Sequence, residues 1–218
     1  MTLLFGVFSS VVSQWRSSDQ RIDAFRDARA ALLLITRDLS RAHVNGDPQM
    51  ITLKDDTGTY AKEAYVITPI PNAGKSELCA VGYYCAWDGV AKAFTLKRLF
   101  KDSDATITSL QGPTVNFATL YTKVPANEED LAACVWDLQF APGVDADPEP
   151  PSSTPSTSWH WIEVRFKSMG PTAARKLRNL AVSESTWGTP STDPTLYRNT
   201  ILPYEQQFVS RVMIQQTQ

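Results

Sequence analysis

The chain has 218 residues, 43% of them hydrophobic and 20% charged, with a formal net charge of −2. That length allows one large domain, or a domain with an extension. The near-neutral balance excludes a nucleic-acid binder that works by bulk positive charge. Six Trp and seven Tyr argue for a packed core over a disordered tail.

The N-terminal stretch changes character partway along. Met1 to Val12 is almost uncharged and mostly apolar, whereas Arg16 to Arg41 is charged and amphipathic. Trp15, Ile22, Phe25, Leu32, Ile35 and Leu39 recur at intervals of three, four and seven, which predicts a helix over about residues 2–43 with one apolar stripe. Asp23 with Arg26 and Asp38 with Arg41 are spaced to pair on the solvated face. At ~1.5 Å per residue such a helix is about 60 Å long, more than a small domain covers, so part of it must protrude or meet a partner. The apolar start lacks the basic n-region and A-x-A-like site of a secretory signal. It is also shorter than the ~20 apolar residues of a full membrane span. Asn45-Gly46-Asp47-Pro48 is a strong helix stop.

Beyond it the pattern turns to β. Ile51 to Leu53, Ala64 to Thr68 and Leu78 to Trp87 are short runs rich in β-branched or aromatic residues. Asp88-Gly89 leads into Phe94 to Phe100, so that GYYCAWDGVAKAFTLKRLF reads as a hairpin with a slightly long connection. Glu128-Glu129-Asp130 reads as an exposed turn or helix start. Val135 to Phe140 and Trp159 to Lys167 alternate and suit a further antiparallel pair, with the Pro/Ser/Thr-rich loop 143–158 between them. Thr172 to Leu180 is a helix candidate, a short helix is expected around Thr195 to Ile201, and Phe208 to Ile214 reads as a closing strand.

Signatures of catalysis are missing: there is no GxSxG, HExxH or CxxC. His43 sits where a helix C-terminus favours a cation, and His160 is expected to face solvent. Neither has neighbours at zinc-ligand spacing, so no metal and no cofactor is expected. Asp145, Asp147 and Glu149 alternate as calcium ligands do, but the prolines among them favour a solvated loop. Gly74-Lys75-Ser76 ends like a phosphate loop, yet Pro69 stands where its first glycine belongs. Cys79 and Cys85 either close a small disulfide loop or are two small buried strand residues. Six helical arginines without a lysine suit carboxylates on a partner helix, or an ordinary solvated face. Trp87, Trp136, Trp159, Trp161 and Trp187 are candidates for a stacking face that would serve an extracytoplasmic module binding carbohydrate or surface polymer.

A hydrophobic-then-amphipathic helix ahead of an antiparallel sheet resembles the type IV pilins and the pseudopilins of type II secretion. DAFRDARAALLLITRDLSRA is similar to the helix of J-type minor pseudopilins, with its ending at Asp38-Leu39 and Ala42. Later pieces follow in order: the Tyr83-Tyr84 hairpin, the Leu96-x-Arg98 strand, a strand with Val135, Asp137, Leu138 and Phe140, and the run from Trp161 to Phe166. The nearest likeness is to the pseudopilin-like cassette proteins of Verrucomicrobia, through Thr36 to Ala42, Ile162 to Arg165 with Ala173 to Arg175, and Phe208 to Ile214.

The resemblance implies an α+β, pilin-like fold, in which a long N-terminal helix (residues 1–45) packs on an antiparallel β-sheet domain (residues 46–218). It implies a structural minor subunit, not an enzyme, of a periplasmic pseudopilus or pilus in a secretion-type system. Its partners would be other pseudopilin subunits and the inner membrane, with no nucleic acid. Trp15, Ile22, Phe25, Arg26, Arg29, Leu32, Arg37 and Leu39 would form the assembly helix. The family begins with Thr-Leu-x-Glu and about 20 apolar residues, but residue 5 here is Phe5. Registering on Trp15 to Ala42 makes Met1 an internal position and residues 1–14 the remnant of a truncated membrane span, with 15–43 its amphipathic continuation.

Overall fold

The computed structural model describes residues 2–42, 51–54, 60–71, 77–111, 120–143, 160–170 and 202–214, together with Ala174, Glu184 and Trp187. Helix α1 runs Thr2–Ser40. Strands β1 (Ile51–Lys54), β2 (Glu63–Pro69), β3 (Leu78–Asp88) and β4 (Ala93–Lys101) follow, then helix α2 (Ser103–Leu110) and strands β5 (Glu128–Ala133), β6 (Val135–Gly143), β7 (Trp161–Ser168) and β8 (Gln206–Met213). The strands form two antiparallel sheets, one in the order β1-β2-β3-β4-β5 and one in the order β6-β7-β8.

This corrects the expected fold class. A long helix packed on one antiparallel sheet, in the pilin manner, is not what forms. The described residues are mostly antiparallel strands divided between two sheets, and α1 is not laid along a sheet for its length. No described side chain before Ala28 is buried. The reason is local: Asp19, Arg21, Asp23, Arg26 and Asp27 are exposed around the middle of α1, and burying them under a sheet would strip charge of its hydration. Among the described residues, no helix is long and apolar enough to cross a membrane.

The rear of α1 is different. Ala28, Ala31, Leu32, Ile35 and Leu39 recur at three- and four-residue steps and enter one core with residues of both sheets. Val66, Val81, Tyr83 and Leu96 reach it from the larger sheet, and Phe140, Ile162, Val164 and Val212 from the smaller. The opposite face of the larger sheet is covered too. There Tyr65, Ile67, Ala80, Tyr84 and Leu99 pack with Leu120, Tyr121 and part of Leu110 in α2. A sheet covered on both faces explains why β3 reads as a continuous buried run from Cys79 to Tyr84 rather than as an alternation.

Along the chain, one residue separates β5 in the larger sheet from β6 in the smaller. Cys134 lies between β5 and β6 with φ 59°, a left-handed kink that turns the chain out of one sheet and into the other. Asp137, at φ 55°, makes a bulge in β6 where the pairing with β7 shifts between Trp136 and Gln139. Gly82 is needed for a close approach: a Cβ there would sit 2.5 Å from the ring of Tyr65.

The hairpin forms as expected, with β3 and β4 paired from Asp88↔Ala93 to Ala80↔Lys101. So does the β6–β7 pair, and the closing strand is β8. Glu128-Glu129-Asp130 is corrected: these residues open β5 and pair with β4, where Lys97 takes Asp130 at 2.8 Å and Glu128 at 3.5 Å. Cross-strand lysine pairing supplies a reason for three consecutive acids to lie in a strand. Helix α2 had no counterpart in the sequence reading. Its signal was Asp102, which caps the helix by accepting from the Ala105 N–H at 2.8 Å. The helix candidates over 172–180 and 195–201, the loop 143–158 with Asp145, Asp147 and Glu149, and the Gly74-Lys75-Ser76 turn lie outside the described residues, except for Ala174 and for Gly143, which ends β6.

Candidate assembly surface on the N-terminal helix

Of the eight residues proposed for the assembly helix, the fold divides the set in two. Leu32 and Leu39 are buried in the protein's own core. Arg37 is half-exposed and reaches Asp38 beside it at 3.2 Å. Trp15 and Ile22 are 72% and 61% exposed, and Arg26 and Arg29 are exposed as well. Phe25 lies between the two groups: half-buried, it meets Phe208 of β8 at 6.2 Å between ring centres, and Phe208 stacks on Phe166 of β7 at 5.3 Å. Phe8 and Val11, which the sequence reading assigned only to the apolar start, are exposed on the same helix.

Where α1 leaves the sheets an open groove of about 410 Å³ is lined by Ile22, Phe25, Arg26, Arg29, Gln206 and Phe208. Its floor is apolar and one rim carries two guanidinium groups. The ion pairs already on this stretch are loose: Arg26 meets Asp23 at 3.8 Å and Asp27 at 4.0 Å, all strongly exposed. Such pairs contribute little, so Arg26 is available to another carboxylate.

The second Asp–Arg pair expected on the helix is corrected. Asp38 does not turn to Arg41 on the solvated face; it is 1% exposed and points into the core. Its Oδ2 accepts from the Tyr83 hydroxyl at 2.6 Å and from Arg98 Nη2 at 3.0 Å, and its Oδ1 accepts from Arg37. Arg98 also reaches Glu129 at 3.4 Å. Burial and then the nearby Asp38 charge push the Tyr83 hydroxyl well above its ordinary value. This network ties the last turn of α1 to β3, β4 and β5. A carboxylate at a helix C-terminus opposes the helix dipole, and here three donors offset that.

A second carboxylate is held on the outer face of the smaller sheet. Glu163 accepts from Arg211 at 2.9 Å and from Arg165, while Arg211 lies 4.6 Å over the ring of Trp161. Burial alone would raise the Glu163 pKa, but the Arg211 hydrogen bond and the two guanidinium charges outweigh it and lower it. A depressed carboxylate contributes stability that is complete above the unfolded value of about 4.3 and is lost as pH falls through the lower folded value. Glu163→Gln is therefore expected to flatten the acid limb of a stability-versus-pH curve below about pH 4.3, as read by urea midpoints at successive pH values. An unchanged acid limb would refute that assignment.

The candidate disulfide is corrected as well. Cys79 and Cys85 both lie in β3, and all three cysteines are free thiols. Six residues along one strand separate them by about 20 Å, far beyond the ~7 Å limit for bridged Cα atoms. Burial pushes the Cys79 thiol up and that of Cys85 to about 12, which keeps both protonated and unreactive at neutral pH.

The tryptophans do not line up as a stacking face. Trp136, Trp161 and Trp187 are buried and Trp87 is half-buried. Trp87 and Trp136 meet Trp187 edge-on, at 65° and 87°. Trp159 and His43 lie outside the described residues, and His160 is exposed, as expected, although it precedes β7 and is not part of it. Among the described residues no group of three or more His, Cys, Asp or Glu side chains is placed to hold a metal.

Comparison of the chain with protein-family models finds no match, and comparison with curated proteins finds none either.

Proposed function

We propose that the protein is a structural subunit that assembles with other subunits through its N-terminal helix, in the role of a minor pseudopilin of a periplasmic, secretion-type filament. One observation supports this reading above the others. Phe8, Val11, Trp15 and Ile22 form an exposed apolar stripe on a helix whose rear is anchored in a folded domain. Large apolar side chains in such a row, held on a rigid rod, gain most by packing against another helix. In this reading the sheets act as a base that fixes the rod's direction, and no bond chemistry is involved. Single-pass placement in an inner membrane, with the sheets on the periplasmic side, belongs to the same proposal.

A photo-crosslinking amino acid at position 15, introduced in cells that produce the full chain, tests the reading. Adducts are expected with the N-terminal helices of subunits that share the helix-then-sheet order. An added Ile22→Glu change is expected to reduce them about tenfold while leaving the melting temperature unchanged, because both sites are exposed. Absence of such adducts, or their persistence undiminished in the Ile22→Glu chain, would overturn it.

A further inference from the structure

We infer that β8 is a docking edge: an extended segment of a partner protein, in which apolar side chains and a carboxylate alternate with others, pairs with its backbone and adds a strand to the smaller sheet. The inference goes beyond the role of the exposed stripe on α1 and does not depend on it. Two open sheets leave four edge strands, β1, β5, β6 and β8, and an unguarded edge is a template for another chain. Strand β1 has only four residues and ends in the exposed Lys54. Strand β5 opens with three acids and shifts register against β4. Strand β6 is bulged at Asp137, and Ala61 bridges to its Phe140. Strand β8 has none of these guards. Its eight residues, Gln206–Met213, run in unbroken register with β7 and include no proline and no lysine. Val209 and Met213 are 50% and 68% exposed. Among the described residues no strand pairs with its other side.

Register fixes which backbone groups are open. The Ile214 N–H donates to the His160 carbonyl at 3.0 Å, and along an antiparallel ladder residues bonded to the neighbouring strand alternate with residues turned away from it. Val212, Ser210 and Phe208 therefore bond to β7, whereas Gln207, Val209, Arg211 and Met213 turn their N–H and C=O groups outward. An added strand takes these groups, and its side chains alternate between the two faces of the sheet. On the outer face they lie beside Val209 and Met213. On the inner face, beside Gln206 and Phe208, they enter the groove between β8 and α1. Its floor of Phe25 and Phe208 accepts an apolar side chain. Arg26 and Arg29 on its rim accept a carboxylate, and no carboxylate lines the groove. Edge and groove thus select one occupant together, the first through backbone bonds and the second through side chains. A helix laid in the groove would leave the edge unpaired. Strand β8 of a second copy has no carboxylate to offer the two arginines.

The test uses the full chain and a short fluorescent peptide in which threonine alternates with leucine and one leucine is replaced by glutamate. Anisotropy titration is expected to show saturable binding. On binding, amide hydrogen exchange is expected to slow about tenfold or more at Val209 and Arg211, and to change little at Phe208 and Ser210, which already bond to β7. Val209→Pro removes an outward N–H and no ladder bond. It is expected to weaken binding about tenfold while leaving the urea midpoint of the chain unchanged. Arg26→Glu combined with Arg29→Glu is expected to weaken binding about tenfold and to shift preference to a peptide with lysine in place of the glutamate. Lack of binding, binding undiminished by Val209→Pro, or exchange unchanged at Val209 and Arg211 would each overturn the proposal. Self-association of the chain that Val209→Pro abolishes would overturn it too, by giving the edge to a second copy. Photo-adducts at position 15 do not involve β8, so loss of the docking edge leaves the assembly reading of α1 standing.

Discussion

Arg98→Met is expected to cost about 3–5 kcal/mol of unfolding free energy, measured by urea titration at neutral pH. Asp38 is buried at the end of α1, and among the described residues Arg98 supplies the positive charge that reaches it from the sheets, at 3.0 Å. Removing the guanidinium leaves a carboxylate without hydration or a buried counter-charge, which costs far more than the pair itself contributes. Arg37 remains beside Asp38 but is half-exposed, and its pairing is screened by water. A control separates loss of the pair from loss of packing. Asp38→Asn in the Arg98→Met background is expected to recover a large part of the loss, because it removes the stranded charge. If the double variant is as unstable as the sum of the two single ones, the two residues are not coupled and the network is misassigned.

The second large effect contrasts two residues of one stripe. Leu39→Ala is expected to destabilise the protein by about 2–5 kcal/mol, because Leu39 is fully enclosed by both sheets and its removal opens a cavity. Trp15→Ala is expected to lie within about 0.5 kcal/mol of the parent, because a side chain 72% exposed in the isolated chain loses few contacts on truncation. The same Trp15→Ala change is expected to reduce assembly. Thermal or urea unfolding of both variants decides this. Equal losses at the two sites would mean that the front of α1 is packed in its own chain and presents no surface to a partner.

The helix itself was legible because its signal is local. Apolar spacing of three and four residues and the lack of proline before Pro48 are properties of neighbouring residues, and the helix runs where they place it, over Thr2–Ser40. The β3–β4 hairpin was legible from a turn dipeptide between two β-rich runs, and the β6–β7 pair from the alternation of two runs on either side of a loop. Which parts of a continuous apolar stripe would be covered was not legible. Trp15 and Leu39 share one spacing rule, and only the position of the sheets makes one a surface residue and the other core.

The partition into two sheets was hidden too. Each strand is legible as a run of its own, but its neighbours in another sheet are not. The switch rests on a positive φ at Cys134, a residue with no turn signature. Asp38 shows the limit most clearly. Three residues from Arg41 on a helix, it satisfied the rule for a solvated ion pair, yet its partners Tyr83 and Arg98 are 45 and 60 positions away. Local periodicity by itself determined a long amphipathic helix followed by antiparallel hairpins. Tertiary structure alone decided the pairing of the sheets, the burial of Asp38 and the exposure of Phe8, Val11, Trp15 and Ile22. These depend on contacts between segments far apart in the chain, for which adjacent residues carry no signal.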